Sequence, residues 1–337
     1  MSGAEPAEGV DEFDWIARLL RPLAAGAPEA LNLADDAALI PSRPGYDLVI
    51  SKDAVVAGVH FLADDPLNLV ARKLLRVNLS DLAAKGAAPA GYLLAIAWPQ
   101  DLGWAEREAF AAGLAADQTQ FGLSLLGGDT VATSGPLTAS VTILGWAPAG
   151  RMVRRSGAQV GDVVLVSGTI GDGYLGLKAA RGDGFGSADD AAFLADRYRL
   201  PRPRTALAPA ILETASASTD VSDGLIADAG HIAETSRMRV ELMLERLPLS
   251  SAAGRWVAAQ ADRASALLAL ATGGDDYEIV CTASAGGAER LIAAGAVVGC
   301  PFTPIGQVVA GAGTGVSLDG APLAVARAGY RHGGSSH

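Results

Sequence analysis

Apolar residues recur along the chain at two alternating periods. A helical stripe of Phe13, Ile16, Leu19, Leu20 and Leu23, with Asp11 placed to cap it, predicts an opening helix. Tyr46 to Ser51 reads as a strand that should run on into Asp53. Asp65 followed by Pro66 marks a helix start, and the stripe continues through Leu69, Val70, Leu74 and Val77. A strand follows over Tyr92 to Ala97, then a helix over Trp104 to Gln120. A short buried strand over Leu123 to Leu126 ends in Gly127-Gly128-Asp129, and another strand covers Leu137 to Gly145. The stretch Ala147 to Val160 is rich in Gly, Pro and Arg and predicts a domain boundary. Beyond it, a strand over Asp162 to Ser167 precedes helical patterns at Gly173 to Ala180, Ala188 to Tyr198, Arg204 to Ala215 and Asp223 to Ser236. A last strand is expected over Asp276 to Thr282, and Asp319-Gly320 suggests a hairpin turn. This alternation defines an α/β or α+β protein.

Composition narrows the classes. The 337 residues are 50% hydrophobic, enough for a sizeable core and for two domains; aromatics are only 5%, so that core must be aliphatic. A net charge of −11 argues against nucleic-acid binding, which needs clustered Lys and Arg. Acidity is compatible with phosphate ligands when carboxylates hold a cation that in turn holds phosphate. The two cysteines, Cys281 and Cys300, have neither metal-type spacing nor a disulfide framework, which predicts a cytoplasmic protein. No apolar run reaches about 18 residues, so no membrane span is expected. Met1 to Val10 lacks the basic and apolar regions of a signal peptide.

The chemistry is concentrated in six acidic segments: Ala34-Asp35-Asp36, Ser51-Lys52-Asp53, Asn78-Leu79-Ser80-Asp81, Gly127-Gly128-Asp129, Asp220-Val221-Ser222-Asp223-Gly224 and Gly273-Gly274-Asp275-Asp276. Each is expected where the chain changes direction, several at strand ends, where α/β proteins gather ligands. Any one Asp alone reads as a cap or turn residue, and a Gly-Gly pair alone as a turn. Six together read differently. Like charges about 4 Å apart repel by roughly 4 kcal/mol at an effective dielectric near 20, so a converging cluster calls for cations. Mg²⁺ suits oxygen ligands of this kind. Ser80-Asp81 with Asp129, and Ser222-Asp223 with Asp275, repeat at similar spacing, which two related halves or chance explain equally well.

Gly171-Asp172-Gly173-Tyr174-Leu175-Gly176 matches G-x-G-x-x-G after a strand, with Asp190 about 20 residues on. No second strand separates the helix from Asp190, so a tight strand-to-helix turn is the better reading than a dinucleotide site. There is no G-x-x-x-x-G-K-[ST], so a nucleotide site here is not a P-loop. Among the histidines, His231 falls in a helix pattern and reads as structural. His60 reads as structural too, but its place just after the Asp53 segment makes it a candidate substrate contact. Arg151, Arg154 and Arg155 form either a solvated linker or a phosphate clamp.

In order along the chain, Asp35-Asp36-Ala37-Ala38-Leu39, Ser51-Lys52-Asp53, Val56 to Phe61, Val77 to Ala87, Gly127 to Thr130, Arg155 to Ala158, Asp220 to Leu225 and Gly273 to Glu278 resemble the thiamine-monophosphate kinase family, which lies within the aminoimidazole-ribonucleotide-synthetase-like superfamily. The run Val77 to Ala87 together with Asp220 to Leu225 is the specific part. The resemblance spans about Asp11 to Tyr330. It implies two α/β domains: residues 11–148, binding ATP and Mg²⁺ and forming a homodimer by joining N-terminal sheets, and residues 149–330, a C-terminal α/β domain. It further implies a site between domains and a phosphotransferase with a phosphate group as acceptor. Thiamine monophosphate and ATP would give thiamine diphosphate and ADP by in-line transfer, with several Mg²⁺ ions. Nucleic acid and membrane are not expected partners.

Carried over position by position, the resemblance implies metal ligands at Asp36, Asp53, Asp81, Asp129, Asp220 and Asp223, with Ser51 and Lys52 offering further oxygens, main-chain carbonyls among them. Gly128, Asp129, Arg155 and Ser222 would contact nucleotide, and His60, Asp275 and Tyr330 the acceptor substrate. Three positions depart from the family pattern: Lys52 stands where Thr is expected, Asp275 where Glu is expected, and Ala34 where Gly is expected. Sister enzymes of the superfamily compete with this reading. Two of them carry a reactive cysteine or selenocysteine near the N-terminus or a cysteine at the C-terminus, positions that Cys281 and Cys300 do not match. A dinucleotide oxidoreductase and a non-catalytic Mg-nucleotide-binding regulator are the readings from other classes.

Overall fold

The computed structural model describes residues 12–330. It divides into two compact units. One runs up to Asn78 and resumes over Pro89–Trp146; the other comprises Leu79–Ala88 and the chain from Ala147 onward.

The first unit is built on four strands: β1 (Tyr46–Val56), β2 (Ala88–Pro99), β3 (Ser124–Thr133) and β4 (Thr138–Pro148), in the order β1-β4-β2-β3. One sheet face is buried. Tyr92, Leu94, Ile96 and Trp98 alternate inward on β2, and Trp98 meets Trp15 and Phe110 edge-on, each at 5.5 Å between ring centroids. The helix Trp104–Phe121 approaches Leu67–Ala84 closely, because a Cβ on Gly113 would stand 2.2 Å from the Asn68 carbonyl oxygen. Asp117, fully buried, accepts from Arg72 Nε at 2.9 Å and Arg76 Nε at 2.6 Å across the same pair. The other sheet face leaves Leu48, Ile50, Leu93 and Val131 exposed.

The second unit holds β5 (Val163–Ser167), β6 (Ala217–Val221), β7 (Arg239–Met243), β8 (Glu278–Ala283), β9 (Phe302–Val309), β10 (Gly313–Leu318) and β11 (Ala321–Pro322) in the order β11-β10-β7-β9-β5-β8-β6. Both faces are covered. Val164, Val166 and Val280 pack with the helices Leu225–Ser236 and Arg263–Thr272, whereas Leu165, Ile279 and Cys281 pack with Ala208–Thr214 and Ala285–Val297. Burial on both sides explains why every residue of β6 and β8 is inaccessible. β5 lies between β8 and β9, antiparallel to both, which is not the parallel surround of a dinucleotide fold. Asp319 and Gly320, at φ of 50° and 80°, form the hairpin turn joining β10 and β11. Among the described residues no helix is long and apolar enough to cross a membrane.

Several sequence-based expectations need correction. The opening helix is broken into Glu12–Trp15, a π-helical stretch Ile16–Leu20 and Arg21–Ala24; Pro22 has no N–H to donate to the turn before it. Trp15 is its buried anchor, whereas Phe13 is 77% exposed. The capping role expected of Asp11 lies outside the described residues. The acidic segments do not all sit at turns. Asp53 is inside β1, as expected of a strand running on from Ser51, but Asp81 lies inside the helix Leu67–Ala84 and Gly127-Gly128-Asp129 inside β3, where the ladder to β2 continues from Gly127 to Thr133. Gly128 is required there because a Cβ would fall 1.8 Å from the Leu94 carbonyl oxygen. Ser80-Asp81 is helical while Ser222-Asp223 precedes a helix, so the apparent internal repeat has no counterpart in local structure.

Candidate active site

In the first unit, the chain turns through left-handed backbone at Leu31, Asn32 and Leu33 and then presents Asp35 and Asp36 to solvent, with Asp36 N–H donating to Asp35 Oδ1 at 2.8 Å. A cavity of about 770 Å³ is lined by this acid pair and by Gly127, Gly128 and Asp129, with Leu94, Leu125 and Leu126 among its apolar walls. The structure therefore brings Asp36, Gly128 and Asp129 together. Ser51, Asp53 and His60 are not part of that lining.

Asp53 is held by its main chain. Its N–H donates to Asn78 Oδ1 at 3.0 Å, while Asn78 Nδ2 donates to the Leu74 carbonyl. Its carbonyl accepts from Ser140 Oγ at 3.0 Å, and Ser140 Oγ in turn accepts from Lys52 Nζ at 2.7 Å. Along β1 the more buried positions are Val49, Ser51, Asp53 and Val55; Ile50, Lys52 and Ala54 take the open face. His60 Nδ1 accepts from the Val56 N–H at 3.1 Å, which leaves Nε2 as the ring's donor, and the His60 carbonyl accepts from Lys73 Nζ.

In the second unit, Asp220 on β6 is buried with Asp81 beside it. Burial, then the Asp81 carboxylate, then Asp228 push the Asp220 carboxyl well above the usual range. Lys85, one helical turn after Asp81, donates from Nζ to the Ser218 carbonyl at 2.6 Å. Burial and the nearby Arg155 guanidinium lower its pKa from 10.5 to about 8. Arg155 Nε donates to Thr219 Oγ1 at 3.2 Å, so this arginine stands at the strand that carries Asp220.

The turn Ser222-Asp223-Gly224 is held from both sides. A single oxygen of Asp228 accepts from the N–H groups of Ser222, Asp223 and Gly224 at 3.0, 3.1 and 3.2 Å. Burial and the Asp223 charge raise Asp228 to about 7 against the pull of those three donors. On the carbonyl side, Ser222 O accepts from Asp275 N–H and Asp223 O from Tyr330 N–H, each at 2.9 Å. Main-chain bonds thus join the proposed nucleotide and metal positions Ser222 and Asp223 to the proposed substrate positions Asp275 and Tyr330. Asp223, Asp228 and His231 also present ligand atoms within 4.8 Å of one another.

Lys85, Asn78, Asp228 and Tyr277 were not assigned roles from sequence. The i, i+4 spacing of Asp81 and Lys85 was a usable cue. Nothing local marks Asn78, whose partner lies 25 residues away.

Comparison with known proteins gives the family of the chain. The family models for the N-terminal and C-terminal domains of AIR synthase related protein match residues 34–147 and 159–319, which defines the class. A thiamine-monophosphate kinase of Caulobacter vibrioides is 55% identical over 96% of this chain and 91% of its own length. The crystal structure of thiamine-monophosphate kinase from Stenotrophomonas maltophilia superposes with a TM-score of 0.81 at 35% identity, covering 95% of this chain and all of that one. AaThiL complexed with AMPPCP and TMP gives a TM-score of 0.76 at 29% identity, covering 98% and 100%. The chain belongs to the thiamine-monophosphate kinase family.

Proposed function

We propose that the protein transfers the γ-phosphoryl group of ATP to the phosphate of thiamine monophosphate, giving thiamine diphosphate and ADP. Membership of the family carries this reading, and the charge of Asp81 near the buried Asp220 supports it. A buried acid repelled by a half-buried neighbour is poorly suited to a core but well suited to a divalent cation, and the hard oxygen donors of Asp220 and Asp81 fit Mg²⁺. Asp81, Asp220 and Asp223 would hold Mg²⁺ in the second unit, and Asp36, Asp53 and Asp129, with the Ser51 and Lys52 main chain, in the first. Bound there, Mg²⁺ supplies charge neutralisation for the phosphate oxygens. Gly128, Ser222 and the Arg155 guanidinium orient the nucleotide; His60, Asp275 and Tyr330 orient the acceptor. The bond from the γ-phosphorus to ADP oxygen breaks as one to an acceptor phosphate oxygen forms. That acceptor is already an anion, so positioning and charge stabilisation suffice and no general base is needed.

Further parts of this reading are a homodimer joined through the open sheet face, where Leu48, Ile50, Leu93 and Val131 are exposed, and a cytoplasmic location. Incubation with ATP, Mg²⁺ and thiamine monophosphate should yield thiamine diphosphate by chromatography. Absence of product at saturating substrates would overturn the assignment. Light scattering at micromolar protein should give twice the chain mass, and a monomer mass refutes the dimer.

A further inference from the structure

The Gly171–Gly176 loop has dinucleotide-type spacing, but its main-chain donors already have an occupant. Asp276, fully buried, accepts from Gly171 N–H through Oδ2 at 2.8 Å and from Gly173 N–H through Oδ1 at 2.9 Å. An internal carboxylate sits where a phosphate would sit in a nucleotide-binding turn. The loop is fastened from its other side as well: Asp172 accepts from Thr169 Oγ1 at 2.7 Å and Ser250 Oγ at 2.6 Å. The fit is close, since a Cβ on Gly173 would lie 2.3 Å from the Asp275 carbonyl oxygen, and one on Gly274 2.3 Å from the Ser222 carbonyl oxygen.

Both neighbours of Asp276 have left-handed backbone, Asp275 at φ 68° and Tyr277 at φ 51°. Residues with side chains rarely hold that conformation unless their surroundings impose it, and such outliers cluster at functional positions. Here the surroundings are explicit. Asp276 fixes the peptide between the two, Asp275 N–H donates to Ser222 O at 2.9 Å, and Tyr277 N–H donates to Val221 O at 2.8 Å. The Tyr277 hydroxyl then donates to Asp275 Oδ1 at 3.1 Å.

We propose that Asp276, seated on the Gly171–Gly176 loop, is a positioning residue for the acceptor substrate: it holds Asp275 and Tyr277 in left-handed backbone so that carboxylate and phenol act as one hydrogen-bonded recognition pair for thiamine monophosphate. The inference rests on the proposed function. The pair suits that ligand's chemistry, because a carboxylate complements a cationic ring or accepts from an exocyclic amine, and the phenol orients the carboxylate. Asp275 has a short side chain with little freedom to correct its aim, which makes the pinned backbone more important.

The test is thiamine monophosphate binding by calorimetry, with ATP and thiamine monophosphate kinetics alongside, on the full chain and on Asp276→Asn, Gly173→Ala and Tyr277→Phe. Asp276→Asn turns an acceptor into a donor facing an N–H, and Gly173→Ala pushes on the Asp275 carbonyl without changing charge. Both should weaken thiamine monophosphate binding and raise its KM at least tenfold, with the KM for ATP within threefold. Tyr277→Phe, at a half-buried site, should fold normally and weaken acceptor binding three- to tenfold. If the first two fail to fold, Tyr277→Phe decides. A loss of kcat with both KM values unchanged, or an equal rise in both, would mean a merely structural role and overturn the proposal. Wild-type protein that binds thiamine monophosphate but makes no product retires the proposed function alone. Tyr277→Phe protein that binds as tightly as wild type retires the positioning role alone.

Discussion

Lys52 and Asp53 are adjacent on β1 yet lie on opposite faces of the sheet, and the lysine ammonium is spent on Ser140 Oγ at 2.7 Å. The alternation of a strand separates the two side chains although they share a peptide bond. Lys52→Thr, which restores the residue expected from the family pattern, should therefore keep activity within about threefold and leave the Mg²⁺ requirement unchanged. A loss of a hundredfold or more, about 2.7 kcal/mol of transition-state stabilisation, would place the ammonium in the reaction.

The Asp81–Asp220 pair predicts opposite effects on stability and activity. Asp220→Asn removes a buried acid that burial and the Asp81 charge both disfavour, so in EDTA the variant should be at least as stable as wild type, by up to about 1–2 kcal/mol. In Mg²⁺ and ATP it should lose turnover by at least about a hundredfold. Asp129→Asn and Asp53→Asn should likewise abolish turnover while leaving the fold intact. A large drop in metal-free melting temperature would assign these carboxylates a structural role, and full wild-type turnover in excess EDTA would remove the metal requirement.

Those acids were legible because composition and local order expose them, yet their settings were not. Asp81 and Asp129 read as turn residues, since an Asp beside Gly or Ser commonly is one. The structure puts them in a helix and a strand, where tertiary pairing overrides local propensity. Gly128 illustrates the difference: its missing side chain makes room for a neighbouring strand, not for a turn. β6 gave no periodic cue, since a short fully buried strand such as Ala217–Val221 does not alternate, whereas β7 over Arg239–Met243 does alternate and was a usable cue. The role of Asp276 was out of reach for another reason. Its two donors lie 105 and 103 residues away, and no local pattern encodes a contact at that separation.

Asp117 offers a stability test away from any proposed substrate contact. It is fully buried and binds both Arg72 and Arg76, and Arg76 is itself only 7% exposed. Asp117→Ala would leave the buried Arg76 charge without its carboxylate, while Gln120 Oε1 at 3.0 Å still accepts from it. The loss should be about 3 kcal/mol, near the lower end for breaking a buried pair. Urea unfolding measures it, and a loss below about 1 kcal/mol would show that the helix pair does not depend on this carboxylate.

Lys85 makes stability depend on pH in a direction that can be stated in advance. In the unfolded chain its ammonium titrates at the ordinary 10.5, and in the folded protein at about 8, chiefly because burial disfavours the charge and next because Arg155 stands near. Below pH 8 both states hold the proton, and the folded protein bears the full cost of the buried cation. Between pH 8 and 10.5 the unfolded chain keeps a proton that the folded protein has released, so rising pH favours the folded state across this window. At about 1.4 kcal/mol per pH unit, the gain approaches about 3 kcal/mol. Other groups titrate over the same range, so the measurement is a difference: urea unfolding in EDTA at pH 7.5 and pH 10, for wild type and Lys85→Met. Wild type should gain on the variant as pH rises. Methionine removes the charge at every pH, although it leaves the Ser218 carbonyl without the donor that Nζ supplies at 2.6 Å. A difference between the two proteins that stays constant from pH 7.5 to pH 10 would mean that Lys85 keeps its proton in the folded state.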